Sequence, residues 1–341
     1  MRFTKRHIFY FITVVVIAFV LSTYQLPFYI YKPGGADALN PVVKVEGGHE
    51  SEGDMHLVTV RGGQATPIQY AWAKVFPHQE ILPLSQVRPE GVTEDEYMHV
   101  QLQMMENSQE ASTVVAYQAA EADISITYEG VYVVAVVEEM PADGILKMGD
   151  RITSINGDNI EDAEGLISYV ENMSAGDTIT LDINRNDKQL TEEITLETFA
   201  DSDNKVGIGI QLVTDRSVQV NPEVNFTSGN IGGPSAGLMF SLEIYDQLTE
   251  SDLTKGYQIA GTGEVDYEGN VARIGGIDKK VIAADREGCD VFFAPNENGG
   301  AGSNYEIAKE AAAEIETDME IVPVDTFEDA LNYLNELEPS N

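Results

Sequence analysis

Cysteine is almost absent from this 341-residue sequence. The single one, Cys289, excludes an internal disulfide and has no cysteine or histidine neighbour at metal-ligand spacing, so stability comes from packing and no metal site is expected. Histidine is scarce as well: none of the five follows His99, which leaves a Ser-His-Asp triad unindicated. Positive charge is short. Twenty Lys plus Arg stand against fifty-seven Asp plus Glu, and a formal charge of −37 repels phosphate, so nucleic acid is excluded as a partner. A solvated acidic surface suited to a salty medium accounts for that charge. No segment reads Gly-x-x-x-x-Gly-Lys-Ser/Thr, the loop that cradles nucleotide phosphates, so neither nucleotide nor any other cofactor is expected.

One stretch lacks charge altogether. From His7 to Tyr31 there is no Asp, Glu, Lys or Arg, and a helix of that composition spans roughly 30 Å of hydrocarbon. Arg2, Lys5 and Arg6 precede it and nothing basic follows until Lys32. The bias of basic residues toward the cytoplasmic side then puts the N-terminus in the cytoplasm and the rest of the chain outside. No small-x-small cleavage pattern follows the apolar run, and Tyr24, Phe28, Tyr29 and Tyr31 read as an interfacial aromatic belt, so residues 1–31 are expected to form a retained single-pass anchor.

The remaining length suits about two ordinary domains. Residues 32–40 carry the Pro and Gly of a connection, residues 42–45 and 56–61 read as strands, the latter ending at a Gly-Gly turn, and residues 96–122 read as helix. That mixture is α+β. Between residues 124 and 200 the texture changes to short β-rich runs with one helix near 163–170. The order Gly130-Val131-Tyr132-Val133, Pro141-Ala142-Asp143-Gly144, Gly149-Asp150-Arg151-Ile152 and Ile155-Asn156-Gly157 resembles a PDZ domain. The resemblance implies that a peptide is bound by strand addition to a sheet edge. It also places the carboxylate-holding loop before Gly130, where no Gly-Leu-Gly-Phe occurs.

After a polar connection at 201–205 the β pattern resumes and leads into Asn230-Ile231-Gly232-Gly233-Pro234-Ser235-Ala236-Gly237. Glycines let backbone approach a ligand closely, and amides at a helix start can stabilise an oxyanion. Ser235 is therefore a candidate nucleophile, with Gly232 and Gly233 as the backbone loop around it. A bland alternative is that Ser235 only caps the following helix. With no histidine nearby in sequence, a desolvated lysine can serve as base. In Gly275-Gly276-Ile277-Asp278-Lys279-Lys280-Val281-Ile282-Ala283-Ala284, the residues Ile277, Lys280, Val281 and Ala284 share one helical face. That places Lys280 on the apolar stripe and Lys279 toward solvent.

Together Gly233-Pro234-Ser235-Ala236-Gly237, Thr262-Gly263-Glu264 and Gly275 to Lys280 resemble the proteolytic domain of Lon-type serine proteases, over roughly residues 206–324. The resemblance implies Ser235 as nucleophile, Lys280 as general base and Thr262 as a supporting hydroxyl. It also implies that residues 32–123 belong with 201–341 in one proteolytic domain, into which the PDZ domain (124–200) is inserted. Many Lon proteases have an acidic residue where this chain has Gly232, which implies different control of access. With the anchor and the PDZ, the chain is similar to membrane-bound, PDZ-containing Lon-like proteases of Gram-positive bacteria. The function so implied is ATP-independent endopeptidase action outside the membrane on peptides or unfolded segments. The competing expectation is a non-catalytic, membrane-tethered PDZ scaffold.

Overall fold

The structure is a computed structural model, and it describes residues 5–88, 91–186, 188–199 and 205–340. Arg2 of the basic cluster and residues 201–204 of the expected polar connection lie outside the described residues. The chain divides into two compact units: Met1–Asp123 with Val220–Asn341, and Ile124–Gln219 between them in sequence.

The first unit opens with helix α1 (Lys5–Thr23), which has no buried residue. It is followed by β1 (Phe28–Ala38), β2 (Val43–Val45), β3 (Asp54–Gln64), α2 (Pro67–Ala73), β4 (Glu80–Pro83), α3 (Leu84–Val87) and α4 (Glu94–Ala119). The apolar run is thus shared between a helix and a strand, which corrects the anchor boundary expected at Tyr31. Pro27 explains the stop, because it lacks an amide proton and disfavours helical backbone in the residue before it. Phe28, Tyr29 and Tyr31 consequently belong to a sheet rather than to an aromatic belt, while Tyr24 stays exposed at the helix exit. The 32–38 stretch, expected as a connection, continues β1, and its Pro-Gly-Gly is absorbed by a register irregularity between Pro33 and Ala36.

The expected Gly-Gly turn is also strand. Gly62 pairs with Tyr31 and Gly63 with Ile30, and a side chain at Gly62 would come within 2.5 Å of the Tyr29 ring. Glycine here makes room for two tyrosines rather than for a reversal.

The second unit comprises β5 (Asp123–Val136), β6 (Arg151–Ile155), β7 (Asp158–Asn159), α5 (Ala163–Glu171), β8 (Thr178–Arg185), β9 (Lys188–Thr195), β10 (Glu197–Thr198), β11 (Val206–Gly207) and β12 (Ile210–Asn221). Its main sheet runs β12-β5-β6-β8-β9 with β7 on β6, and β10 pairs with β11. Alternating strand residues such as Ile179, Leu181 and Ile183 are fully buried and meet Leu166 and Val170 of α5 in one core. Arg185 closes the unit's polar side by reaching Asp150 in a bidentate pair, a contact that holds the Asp150 carboxyl low against burial. The unit ends at Gln219 rather than at residue 200, because β12 completes its sheet beside β5.

The first unit resumes with β13 (Val224–Phe226), α6 (Gly237–Leu248), β14 (Gln258–Gly261), β15 (Glu264–Val265), β16 (Val271–Ala272), α7 (Ile277–Glu287), β17 (Val291–Pro295), α8 (Asn304–Glu314), β18 (Glu320–Val324) and α9 (Phe327–Glu336). Its sheet has the order β18-β17-β14-β3-β1-β4. β3, β14, β17 and β18 run parallel, and β1 is antiparallel to both β3 and β4. The first and last segments of the chain therefore build one sheet, as β14 beside β3 makes plain. α7 and α8 bury Ile277, Val281, Ala284, Ala308 and Ala312 against Ala260 and Phe292 of this sheet.

Candidate active site

The loop before α6 is fixed by hydrogen bonds from three directions. Ser108 Oγ of α4 donates to Pro234 O at 2.9 Å, and the Gly263 amide donates to Ser235 O at 3.0 Å. Thr262 Oγ1 donates to the same carbonyl at 2.8 Å. Gly233, at φ +91°, takes a backbone conformation that residues with a Cβ avoid. α6 starts at Gly237 with Ala236 as its N-cap and no side-chain cap bond, so Ser235 is not a capping serine. Its hydroxyl is left for another partner.

That partner comes from α7. Gly276 caps the helix in the left-handed region, and the first turns carry Ile277, Lys280, Val281 and Ala284 inward. Lys280, 3% exposed, ends with Nζ 2.7 Å from Ser235 Oγ and 2.8 Å from Thr262 Oγ1. No carboxylate pairs with it among the described residues. Burial alone therefore acts on its ammonium and lowers the pKa from 10.5 to about 7. A neutral amine against a serine hydroxyl can take the hydroxyl proton.

Lys279 does not point to solvent, contrary to the sequence expectation. It is as buried as Lys280, but its Nζ lies 2.7 Å from Glu80 and 3.0 Å from Asp278. Desolvation pulls its pKa down, yet the hydrogen bonds and charges of these two carboxylates outweigh it and leave the pKa raised. Glu80, on β4, lies almost two hundred positions away in sequence and supplies a polar lining for Lys279 that helical periodicity does not register.

The two loop glycines differ in what they offer. The Gly233 amide donates to Gln101 O of α4 at 2.8 Å, whereas those of Gly232 and Ser235 have no protein acceptor among the described residues. In front of Ser235 lies a cleft of about 800 Å³, lined among others by Tyr29 and Tyr31 of β1, Tyr97 and Gln101 of α4, and Glu264 and Arg273. The tyrosines were legible in the sequence only as part of an apolar run, and their alternation with buried Ile30 is the signal that places them on the cleft side of a strand.

The second unit has a groove of its own, about 550 Å³, between Leu166, Ile167 and Val170 of α5 and the stretch Val206-Gly207-Ile208-Gly209-Ile210. The sequence expectation put the ligand loop before Gly130. Instead the glycine-isoleucine alternation at the C-terminal end of the unit borders the groove, and that alternation is the signal that could have found it.

A serine hydroxyl whose basic partner is a buried lysine, at the head of a helix packed on a mixed sheet, defines an arrangement suited to acyl transfer. Comparison with known proteins is consistent with it. Residues 185–336 match the family model of the Lon protease (S16) C-terminal proteolytic domain, and residues 97–196 match that of the PDZ domain. The chain carries both domains. The PDZ match begins inside α4 and the two matches overlap at 185–196, whereas the compact unit is Ile124–Gln219. The strand pairing, which closes the sheet with β12, sets the boundary we adopt. Among relatives, a Lon protease of Campylobacter jejuni is 33% identical over 131 residues, 35% of this chain and 16% of that one. One from Aster yellows witches'-broom phytoplasma is 32% identical over 102 residues, 30% of this chain and 12% of that one. The chain thus matches less than a fifth of the length of these relatives. A solved PDZ domain of an SdrC-like protein from Listeria monocytogenes is 36% identical, covers 26% of this chain and 93% of that one, and has a TM-score of 0.25.

Proposed function

We propose that the chain is a membrane-anchored serine endopeptidase of the Lon type, acting through Ser235 and Lys280 without ATP. The observation that carries the proposal is the 2.7 Å approach of a buried, carboxylate-free Lys280 to Ser235 Oγ. Lys280 Nζ takes the hydroxyl proton as Oγ attacks the peptide carbonyl, and the amides of Gly232 and Ser235 stabilise the oxyanion. The proton on Lys280 passes to the leaving amine, and water, activated by the same amine, hydrolyses the acyl ester. Thr262 holds the ammonium through Oγ1 while fixing the Ser235 carbonyl. Lysine in place of histidine confines the reaction to conditions in which the amine is neutral.

Support for the anchor is α1, a 19-residue helix without burial that begins with Lys5 and Arg6 and is apolar beyond them. Tyr29 and Tyr31 of the cleft follow its end within eight residues, so the substrate is met close to the bilayer. The basic residues Arg2, Lys5 and Arg6 at the cytoplasmic end of the apolar run favour a cleft outside the cytoplasm, as in the Gram-positive enzymes that the sequence resembles. These 341 residues contain no phosphate-binding loop, which favours action on peptides and exposed or unfolded segments. The groove against α5 selects them by taking a peptide strand.

The test is incubation of the full chain in detergent with casein, read by mass spectrometry, beside Ser235→Ala and Lys280→Ala. Internal cleavage by the parent alone supports the proposal. Three folded and equally inert proteins, also inert when a peptide bound to the groove is added, would leave a membrane-tethered peptide-binding scaffold.

A further inference from the structure

Helix α2 and the turn after it present a face that no described residue of their unit covers. Thr66 caps the helix in a reciprocal pair with Gln69, Pro67 occupies its first position, and its inner side packs Tyr70 and Ala73 on Phe28, Ile30 and Ile81. Ile68 and Trp72 of α2, with Val75 and Phe76 of the turn that follows it, point the other way with exposures of 46%, 57%, 78% and 43%, and the Val75 and Phe76 amides both donate to Trp72 O. Trp72 and Phe76 stack at 4.1 Å, and Val75 is the most exposed large hydrophobic residue among those described. Such a cluster on an otherwise acidic protein marks an interaction surface.

Its place in the fold identifies the partner. Four residues separate the end of α1 from β1, a reach of at most about 14 Å. That connection is tied to the start of α2: the Leu26 amide donates to Ala65 O at 2.8 Å, the Ala65 amide to Phe28 O at 2.8 Å, and Gln64 Nε2 to Leu26 O at 2.9 Å. α2 therefore begins beside the C-terminal end of α1. Charge follows the same geography. Although one residue in six is acidic, there is no Asp or Glu before Asp37 and none from Met55 to Gln79, while Lys32, Arg61 and Lys74 all lie in these stretches.

We propose that this face of α2 and the turn after it is a second membrane contact, lying in the interfacial layer of the bilayer that α1 enters, with Trp72 and Phe76 at the boundary between headgroups and acyl chains and Lys74 at the headgroups. Tryptophan favours that layer, and an amphipathic helix with basic residues binds in its plane. The missing carboxylates remove the repulsion that a chain of net charge −37 otherwise meets at an anionic surface. An anchor alone leaves the catalytic unit free to swing, whereas two contacts joined through β1 fix the height of the cleft over the membrane. The inference rests on the reading of α1 as an anchor.

Trp72 is the only tryptophan, so the unlabelled full chain reports on it. The chain is reconstituted into vesicles of phosphatidylcholine and phosphatidylglycerol, and its emission is compared with and without acyl-brominated phosphatidylcholine, then titrated with iodide on both sides. The expected result is loss of most of the emission in brominated vesicles, with little quenching by iodide. Val75→Ser with Phe76→Ser should reduce the bromolipid quenching while the chain still floats with the vesicles. If the chain floats but Trp72 is open to iodide and untouched by bromolipid, the inference is overturned and the anchor stands. Shielding from iodide without bromolipid quenching also overturns it, because protein then covers the face. A chain that does not float removes the anchor and this inference together.

Discussion

Lys279 and Lys280 are neighbours on α7 and equally buried, yet their ammonium groups meet opposite surroundings: carboxylates of Glu80 and Asp278 for the first, hydroxyls of Ser235 and Thr262 for the second. One lysine is kept charged and the other is pushed toward neutrality. The contrast separates what each contributes.

With its pKa lowered to about 7, Lys280 is protonated in acid and free to act as base above neutrality. We expect kcat/KM for peptide cleavage to rise with pH through about 7 and then level off, as measured in a pH series with a fluorogenic peptide. A profile flat from pH 5 to 9 would remove Lys280 as the titrating base.

The same shift predicts a trade of stability for function. Between about 7 and 10.5 the unfolded lysine holds a proton that the folded one has lost, so stability rises with pH across that window and the burial penalty is complete below it. Lys280→Met removes the penalty, which is on the order of several kcal/mol. It should raise the urea midpoint at pH 6 while abolishing turnover. The gain over the parent should shrink as pH is raised toward 10.

For Lys279→Ala the expectation is reversed. Glu80 and Asp278 are themselves half exposed, so the lost ion pairs count for little, and most of the damage is lost packing of the buried stem. We expect a loss of about 1 to 2 kcal/mol in stability with kcat/KM close to the parent value. Calorimetry and peptide cleavage on the same preparation check both.

These two lysines also show how far the sequence could be read. Motif order brought Ser235, Thr262 and Lys280 together, because each sits at a turn or helix start whose local pattern is strong. The environment of Lys279 was illegible, since its partner on β4 arrives through tertiary packing. Apolar composition likewise could not separate α1 from β1, as both bury or span with the same residue types. Only Pro27 marked the break. The PDZ sheet was visible in its strands, but its groove was not, because the bordering Gly207 and Gly209 fall after the span that the motif order appeared to close.

Thr262 tests whether the site needs more than a base and a nucleophile. Thr262→Val keeps the volume and removes both the acceptor for Lys280 and the donor to Ser235 O. Loss of one hydrogen bond to a charged group and one to a carbonyl predicts a fall of roughly 10- to 100-fold in kcat. The ammonium loses an acceptor, so its pKa should fall further and the pH-rate profile should move to lower pH. Thr262→Ser should restore most of the activity, which a packing defect alone would not do.

The groove in the second unit can be uncoupled from the chemistry. Ile167 is 48% exposed on α5 and faces the groove, so Ile167→Asp puts a charge into it without disturbing the buried Leu166 and Val170. Peptides with an apolar end should lose affinity by about 1 to 3 kcal/mol, as titration calorimetry measures, because a desolvated carboxylate has no partner there. Hydrolysis of a short fluorogenic peptide that reaches the cleft directly should be unchanged, while casein should be cut more slowly and at different positions. If casein fragments keep their pattern and rate although groove affinity is lost, the groove has no part in choosing substrates. If both substrates fail together while the protein stays folded, the groove governs the cleft itself rather than selection.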